Sequence, residues 1–205
     1  RKAGRREVFG RGGKFWMKKI PTLFERRYEN HRIVGISDKV CPGMEWVLAG
    51  EGVATVKIDG SCCAIINGEP YKRYDAKKGK KPPAGAIPCC EPDPVTGHWP
   101  HWVKVDGDNY ADKWFIAAFE NSTCPLSDGT FEAVGPHFQG NPYNYTADLL
   151  LPHGDEKISV LRTFDGIRQY LMEHEIEGIV FWRGGEPLCK IKRSDFGFEW
   201  PVKGR

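Results

Sequence analysis

The hydrophobic positions of this chain fall into short runs that predict β-strands rather than long helices. Residues 53–58 form the clearest of these runs, and their β-branched side chains favour an extended backbone. Lys57 lies near the end of the run and is followed by Asp59-Gly60, a sequence typical of turns. A lysine inside an apolar strand is unusual, because burying an unpaired ammonium group costs free energy.

Lys57 allows two interpretations at this point. Its stem can lie on apolar surface while its ammonium group reaches water. Alternatively, burial next to other cations favours the neutral amine, which is a nucleophile. The strand pattern by itself does not decide between them.

Turn sequences between neighbouring strands predict two β-hairpins. The first covers residues 62–75 and turns at Asn67-Gly68, and the second covers residues 177–191 and turns at Gly184-Gly185. Further strands are predicted at residues 33–36 and 130–135, and residues 149–151 form an apolar run that then breaks at Pro152.

One amphipathic helix is predicted, from an N-cap at Thr163 to about His174. Its apolar residues share one helical face: Phe164, Ile167, Tyr170 and Leu171. Residues 114–119 form an apolar run that fits either a buried strand or a short helix. The fold class is therefore predicted to be α+β, built on antiparallel sheets with flanking helices.

The chain of 205 residues is predicted to consist of a basic N-terminal segment, residues 1–40, and a folded domain, residues 41–205. Lysine and arginine are concentrated in the N-terminal segment and again at residues 72–81. Aromatic side chains lie among these cations, a combination that suits a nucleic-acid backbone. The alternative is a solvated basic face with a disordered tail. Residues 77–97 are rich in Lys, Pro and Gly and are predicted to form a loop.

The sequence has no apolar run approaching the roughly 18 residues of a membrane span, and no signal peptide at its start. We therefore expect no membrane span and a cytoplasmic location. The seven cysteines, an odd number with two vicinal pairs, also favour a reducing compartment. Cys89, Cys90, His98 and His101 could be drawn as zinc ligands, but their spacing matches no established zinc framework.

Several charged residues share an unusual setting among apolar strand residues. They are Lys57, Glu132, Glu177, Lys190 and Lys192. Lys190 and Lys192 are two positions apart, so they point to the same face of their strand. Together with Arg73, these lysines suit the phosphates of a nucleoside triphosphate, and the carboxylates suit Mg²⁺ held directly or through water.

The order of these residues resembles that of the covalent nucleotidyltransferases, the superfamily of polynucleotide ligases and mRNA capping enzymes. Lys57-Ile58-Asp59-Gly60 resembles motif I, and Arg73 lies where motif Ia would be. Residues 131–135, 177–180 and 188–192 resemble motifs III, IV and V. Further segments are similar to the RNA ligase 1 family of ATP-dependent 5′–3′ RNA ligases: residues 57–63, 140–143, 150–154 and 176–180.

The resemblance implies a nucleotidyltransferase domain of the ATP-grasp-like ligase adenylation type, which uses ATP with Mg²⁺ or Mn²⁺. Lys57 would attack the α-phosphate of ATP and expel pyrophosphate, leaving a lysyl-AMP adduct. AMP would then move to the 5′-phosphate of an RNA end. A 3′-hydroxyl would displace the AMP and join the two RNA ends, a reaction of the kind used in RNA repair.

The same resemblance implies a role for each motif residue, with Lys57 as the catalytic nucleophile. The nucleotide would be bound by Thr55, Val56, Asp59, Gly60, Arg73, Glu132, Lys190 and Lys192. The metal ion would be held by Glu177, Asp59 and Glu132. Charge neutralisation of the phosphates, rather than acid–base chemistry, is what in-line phosphoryl transfer requires most.

The chain also departs from the family pattern. Val56 stands just before the nucleophile, where many ligases have an acidic residue. The aromatic side chain expected to stack on the base is not fixed, and Phe138, Tyr143 and Tyr145 are the candidates. His153 lies in a family-like segment, and a structural role is expected for it.

Two other functions remain open from the sequence. A DNA nick ligase or a capping-type guanylyltransferase of the same superfamily would use the same motifs. A non-catalytic RNA-binding module would keep the fold without the chemistry, but the intact Lys57, Glu177, Lys190 and Lys192 argue against it. The oligomeric state is not indicated.

Overall fold

The computed structural model of the protein describes residues 13–122 and 126–202. Its strands are β1 Phe24–Glu29, β2 Arg32–Val40, β3 Val53–Lys57, β4 Ser61–Ile66, β5 Glu69–Ala76, β6 Ile87–Pro88, β7 Trp99–Lys104, β8 Gly129–Val134, β9 Leu149–Pro152, β10 Lys157–Ile158, β11 Gly178–Arg183 and β12 Glu186–Lys192. Its α-helices are α1 Glu45–Leu48, α2 Lys113–Asn121 and α3 Phe164–Glu173, and short 3-10 helices cover Tyr110–Asp112 and Arg193–Phe196.

The chain folds into two compact units, each built from segments that are discontinuous in sequence. Unit 1 contains the described residues up to Lys19 together with Asp59–His153. Unit 2 contains Ile20–Ile58 and the described residues from Gly154 onward. The chain therefore passes from unit 2 to unit 1 directly after the segment that contains Lys57.

Unit 2 is organised around a four-stranded sheet in the order β10-β3-β11-β12, accompanied by the two-stranded β1-β2 sheet. One face of the larger sheet contributes Ala54, Ile179, Phe181 and Ile191 to a core that also contains Ile167 and Leu171 of α3. Thr163 caps α3, because its side chain accepts a hydrogen bond from the Gly166 backbone N–H. The amphipathic helix and its N-cap are confirmed.

Unit 1 is organised around a six-stranded sheet in the order β6-β7-β5-β4-β8-β9. Helix α2 packs on one face of this sheet, where Ala118 meets Ile65 and Phe131 in a common core. The other face packs Trp102 against Phe15, and the Trp102 indole N–H donates to the Phe15 carbonyl at 3.0 Å. The central strands of the sheet therefore have apolar packing on both faces.

The predicted α+β class is confirmed, since every pairing between the named strands is antiparallel. Both predicted hairpins form, and Asn67 and Gly68 turn the first with φ values of 54° and 76°. The ambiguous run at residues 114–119 lies in helix α2. The predicted loop at residues 77–97 contains the short strand β6.

The N-terminal region bears on the predicted boundary at residue 40. The first twelve positions of the basic segment lie outside the described residues. Within the described part, β1 and β2 belong to unit 2, while residues 13–19 belong to unit 1. The division into residues 1–40 and 41–205 stays a prediction.

No helix in the described part of the chain is long and apolar enough to cross a membrane.

Candidate functional site

Strand register in unit 2 places the motif I lysine in a row with a motif V lysine. Gly178 of β11 pairs with Lys57 of β3 on one side and with Lys192 of β12 on the other. Directly paired residues project to the same face of a sheet, so both lysines lie on one face with only a glycine between them. Gly178 has no room for a side chain, since a Cβ there would lie 2.3 Å from the Ile191 carbonyl oxygen.

Glu177 joins the two lysines of this row. Its Oε2 accepts a hydrogen bond from Lys57 Nζ at 2.5 Å, and its Oε1 lies 3.2 Å from Lys192 Nζ. The Glu177 side chain is 9% exposed, against 21% for Lys57 and 35% for Lys192. We call Lys57, Glu177 and Lys192 the lysine cluster. In this cluster one buried carboxylate contacts two ammonium groups.

The next row on the same face contains other predicted nucleotide-binding residues. Thr55 and Lys190 both pair with Val180, two positions along from Lys57, Lys192 and Gly178. Lys190 therefore projects to the face of the lysine cluster, as its alternation with Ile191 predicted.

Thr55 and Val56 have hydrogen bonds inside unit 2. Thr55 is 2% exposed, and its hydroxyl accepts a hydrogen bond from the Trp182 indole N–H at 2.8 Å. The Val56 backbone N–H donates to the Glu156 carbonyl at 2.9 Å. Their contact with the nucleotide stays a prediction.

Unit 1 contains the remainder of motif I. The Asp59 backbone N–H donates to the Tyr143 hydroxyl at 2.6 Å. A Cβ at Gly60 would lie 2.5 Å from the Ala133 carbonyl oxygen, so the close approach of two backbones requires glycine there. Tyr143 thus fixes the segment that follows the lysine strand.

Glu132, the residue that resembles the motif III glutamate, is held by His153, for which the sequence predicted a structural role. Oε1 of Glu132 lies 3.0 Å from Nε2 of His153, and the two side chains are 14% and 16% exposed. Cys62 of β4 pairs directly with Glu132 of β8. Burial, and then the negative charge of Glu132, raise the pKa of the Cys62 thiol well above its usual range.

Arg73, at the predicted motif Ia position, lies on β5 in unit 1. Its Nε donates to Oδ1 of Asp75 at 2.9 Å. Its side chain also lies close enough to Cys62 to favour the thiolate form, although less strongly than burial disfavours it. A phosphate would have to compete with Asp75 for this guanidinium.

The described chain brings the predicted site residues together in two groups. Unit 2 contains Thr55, Val56, Lys57, Glu177, Lys190 and Lys192, and unit 1 contains Asp59, Gly60, Arg73 and Glu132. The sequence did not identify Cys62 or His153 as neighbours of Glu132. Alternation alone would put Cys62 on the face opposite Cys63, but which strand lies next to it cannot be read from the sequence.

Two lesser candidates take other positions. Phe138 is 5% exposed and packs against Phe115, so its ring cannot stack on a base, and Tyr143 and Tyr145 remain candidates. The zinc site considered in the sequence analysis does not form, because its side chains do not lie close enough together to share an ion: Cys89, Cys90, His98 and His101. Among the residues that the structure describes, the side chains close enough to share an ion are Cys62, Glu132 and His153.

Comparison with known proteins supplies further evidence on identity. No protein-family profile matches the chain. RNA ligase 1 of Rattus norvegicus is 29% identical over 227 aligned positions, which cover 73% of this chain and 69% of the relative. RNA ligase 1 of Mus musculus is 28% identical, with 73% of this chain and 68% of the relative covered. RNA ligase 1 of Pongo abelii is 27% identical, with 73% and 69% covered. These similarities, together with its ordered motifs, support the assignment of the chain to the RNA ligase family.

Proposed function

We propose that this protein is an ATP-dependent RNA ligase that joins 5′-phosphate and 3′-hydroxyl RNA ends through a lysyl-AMP intermediate on Lys57. The observation that supports the proposal most strongly is the lysine cluster, in which Glu177 holds the motif I lysine next to a motif V lysine. The names of the relatives support RNA as the substrate. The α+β architecture with antiparallel sheets is compatible with a nucleotidyltransferase domain.

The first step of the proposed reaction uses Lys57 as the nucleophile. Its Nζ loses its proton to water, and the neutral amine attacks the α-phosphorus of ATP. A nitrogen–phosphorus bond forms, the bond to pyrophosphate breaks, and the nitrogen releases a second proton to water as pyrophosphate leaves. Lys190 and Lys192 project to the same sheet face and would neutralise charge on the α-phosphate as the bond order changes. Glu177 positions the Lys57 amine before the attack.

The second and third steps transfer AMP and then release it. An oxygen of the RNA 5′-phosphate attacks the AMP phosphorus, and the nitrogen–phosphorus bond to Lys57 breaks. The RNA 3′-hydroxyl then attacks the activated 5′-phosphate, loses its proton and displaces AMP, so that a phosphodiester forms. Asp59, Gly60, Arg73 and Glu132 are proposed to contact the nucleotide during these steps, as motif I, Ia and III residues.

The carboxylate of Glu177 fits the proposed role as a ligand of Mg²⁺ or Mn²⁺. Such ions favour carboxylate oxygens and water. The ion would supply charge neutralisation of the ATP phosphates. Because both Glu177 oxygens contact ammonium groups, binding of a metal ion there would compete with the contact to Lys57. Asp59 is proposed as a second oxygen ligand.

An RNA-joining assay tests the proposal. The substrates are a 5′-phosphorylated RNA and an RNA with a free 3′-hydroxyl, incubated with Mg²⁺ and either ATP or GTP. Wild-type protein should join the ends with ATP, and Lys57→Arg should not, because a guanidinium is not a nucleophile at neutral pH. Joining of DNA nicks in preference to RNA would favour a DNA ligase. Covalent labelling of the protein by GTP but not by ATP would favour a guanylyltransferase.

Lys72→Arg is the matched control for this assay. Lys72 is 23% exposed, close to the 21% of Lys57, and it also pairs with a buried carboxylate, Asp112. It lies on β5 one position from Arg73, so it projects to the opposite face of the sheet from that residue. The Lys72 variant should join RNA at the wild-type rate.

RNA binding without any joining by folded wild-type protein would favour a non-catalytic RNA-binding module.

The place of the reaction in the cell is a further part of the proposal. A reducing cytoplasm would keep the cysteines of the described residues as free thiols, the form in which Cys41, Cys62, Cys63, Cys89, Cys90 and Cys189 are found. A ligase acting on 5′-phosphate and 3′-hydroxyl ends would serve RNA repair. Fractionation of cells that express the tagged protein tests the location.

A further inference from the structure

Three side chains of different chemistry meet in unit 1, at the β4-β8-β9 end of the six-stranded sheet. One donor atom from each of Cys62, Glu132 and His153 lies within 4.8 Å of the others. Cys62 and Glu132 are directly paired across β4 and β8, and His153 follows β9, the next strand. Two of the donors thus lie on directly paired strands, which hold them more rigidly than a loop would, and the third directly follows the neighbouring strand.

Two polar atoms of this cluster are buried without a hydrogen-bond partner. They are Oε2 of Glu132 and Nδ1 of His153. Unpaired buried polar atoms cost free energy, so each of them requires an explanation. A cation that binds between these side chains would supply the missing interaction for at least one of them.

A fourth donor lies at the edge of the cluster. The thioether sulfur of Met17 is 3.3 Å from the thiol sulfur of Cys62. Thiol, thioether and imidazole groups are soft or intermediate ligands, which suit zinc and other late transition metals. Mg²⁺ prefers oxygen ligands with several waters, so this donor set does not suit it.

We propose that Cys62, Glu132 and His153 form a zinc-binding site, with Met17 or water at the fourth position. Thiolate, carboxylate and imidazole are the common zinc ligands, and three protein ligands with an open position are typical of accessible rather than closed zinc sites. With the thiol proton released, the thiolate and carboxylate together neutralise the charge of Zn²⁺.

The spacing of the donors fits a small tetrahedral ion. Zinc–ligand bonds of roughly 2.0–2.3 Å place neighbouring ligand atoms about 3.3–3.8 Å apart. Oε1 of Glu132 and Nε2 of His153, which share a hydrogen bond in the absence of metal, are 3.0 Å apart, and the sulfurs of Cys62 and Met17 are 3.3 Å apart, so both distances are close to this spacing. An ion held by the Glu132 carboxylate would also supply the partner that Oε2 lacks. Small side-chain rotations would complete the geometry, and the partial exposure of Glu132 and His153 gives an ion a route of entry.

The site has a consequence for catalysis, which rests on the proposed function. Glu132 is proposed to contact the nucleotide, so zinc bound to its carboxylate would remove it from that role. Zinc would then inhibit adenylylation of the wild-type protein more strongly than that of Cys62→Ser, in which one ligand is missing. Zinc competing at Glu177 would inhibit both proteins equally, and therefore only the difference between them reports on this site.

Direct binding tests the site without any reference to ligase activity. Metal-free protein is dialysed against micromolar zinc and its bound zinc is measured, and a parallel sample with Co²⁺ is examined for the thiolate-to-cobalt charge-transfer absorption. Wild-type protein should retain one equivalent of zinc and show that absorption. Cys62→Ser and His153→Gln should lose the tightly bound equivalent, and Cys62→Ser should also lose the absorption.

Cys41→Ser is the matched control, because Cys41 is a partly exposed free thiol in unit 2. It should bind zinc as the wild type does. Full zinc retention by folded Cys62→Ser, or loss in Cys41→Ser alone, would overturn the proposal. Absence of both zinc and the cobalt absorption from folded wild-type protein would overturn it too, whatever the outcome of the RNA-joining assay.

Discussion

The carboxylate of Glu177 lies 2.5 Å from the ammonium group of Lys57, although 120 positions separate the two residues in the sequence. The contact forms because β3 and β11 are neighbours in one sheet, with Lys57 opposite Gly178. The same carboxylate reaches Lys192, so a motif IV residue links motifs I and V. A buried anion that holds two cations gives the proposed nucleophile a fixed position before substrate arrives.

The first prediction concerns Glu177→Gln. The variant keeps the side-chain shape but removes the charge that holds both lysines, so adenylylation should fall at least roughly tenfold, equivalent to about 1.4 kcal/mol. Stability should fall by about 1–2 kcal/mol, less than for a fully buried pair because both ammonium groups are partly exposed. Single-turnover labelling with ATP and urea denaturation measure the two effects.

Asp112→Asn provides the comparison for Glu177→Gln. Asp112 is 2% exposed and pairs with Lys72 in unit 1. Its loss should destabilise the protein to a similar extent while leaving labelling at the wild-type rate. Labelling of Glu177→Gln at the wild-type rate would contradict the role assigned to this carboxylate.

The second prediction concerns the hydroxyl of Thr55. Thr55→Val would leave the Trp182 indole N–H without its acceptor and should destabilise the protein by about 1–2 kcal/mol. Thr55→Ser keeps the hydroxyl and should cost less. Thermal or urea unfolding measures the stability of the two variants. Equal stability of both would show that the hydrogen bond contributes little.

The third prediction is a pH dependence at the first hairpin. The Asp128 carboxylate accepts hydrogen bonds from the backbone N–H groups of Gly68 and Asn67, and these bonds lower the pKa of Asp128 below its usual value. A lowered pKa in the folded state means that the stabilisation is present above the unfolded value of 3.8 and is lost as pH falls through the folded value.

Asp128→Asn tests this dependence. The variant should be less stable than the wild type near neutral pH, and the difference should shrink in acid as the wild-type carboxyl takes up its proton. Urea midpoints of both proteins at neutral pH and at acid pH below the unfolded pKa give the comparison. A difference that stays constant over this range would refute a contribution from the charged carboxylate.

The fourth prediction is a loss of stability in alkaline solution. Burial raises the pKa of the Cys189 thiol from 9.0 to about 12. A raised folded pKa means that stability is fully present below the unfolded value and is lost as pH rises through 9.0 towards the folded value. Ionisation of the Cys189 thiol in the unfolded state should lower the free energy of unfolding by roughly 1 kcal/mol between neutral pH and one unit above the unfolded pKa.

Cys189→Ala separates this thiol from the other ionisable groups. Removing a buried side chain should destabilise the variant near neutral pH, because it leaves a small cavity. The gap in unfolding free energy between wild type and variant should narrow as the solution becomes alkaline. A gap that widens with pH would contradict the assigned direction of the pKa shift.

Local sequence signals predicted the elements that depend on neighbouring residues. Asn67-Gly68 marked a hairpin because both residues tolerate positive φ, and Thr163 marked a helix start because its hydroxyl caps a backbone N–H. The run at residues 114–119 stayed ambiguous because an apolar run fits a strand or a helix equally well, and packing against the unit 1 sheet decided it.

Strand order could not be predicted in this way, and the site depends on it. Sequence motifs identified Lys57, Glu177 and Lys192, but only the order β3-β11-β12 shows that one carboxylate contacts both lysines. Likewise, the contact between Glu132 and His153 requires β8 and β9 to be neighbours. Pairing between distant strands is decided by the packing of the whole sheet, which a single sequence does not display.

The most direct test of the account is to locate the covalent adduct. Wild-type protein is incubated with ATP and Mg²⁺, digested, and its peptides are analysed by mass spectrometry. We expect AMP on the side chain of Lys57, no adduct in Lys57→Arg and an unchanged adduct in Lys72→Arg. AMP on a different residue, or a folded wild-type protein without any adduct, would contradict the proposed mechanism.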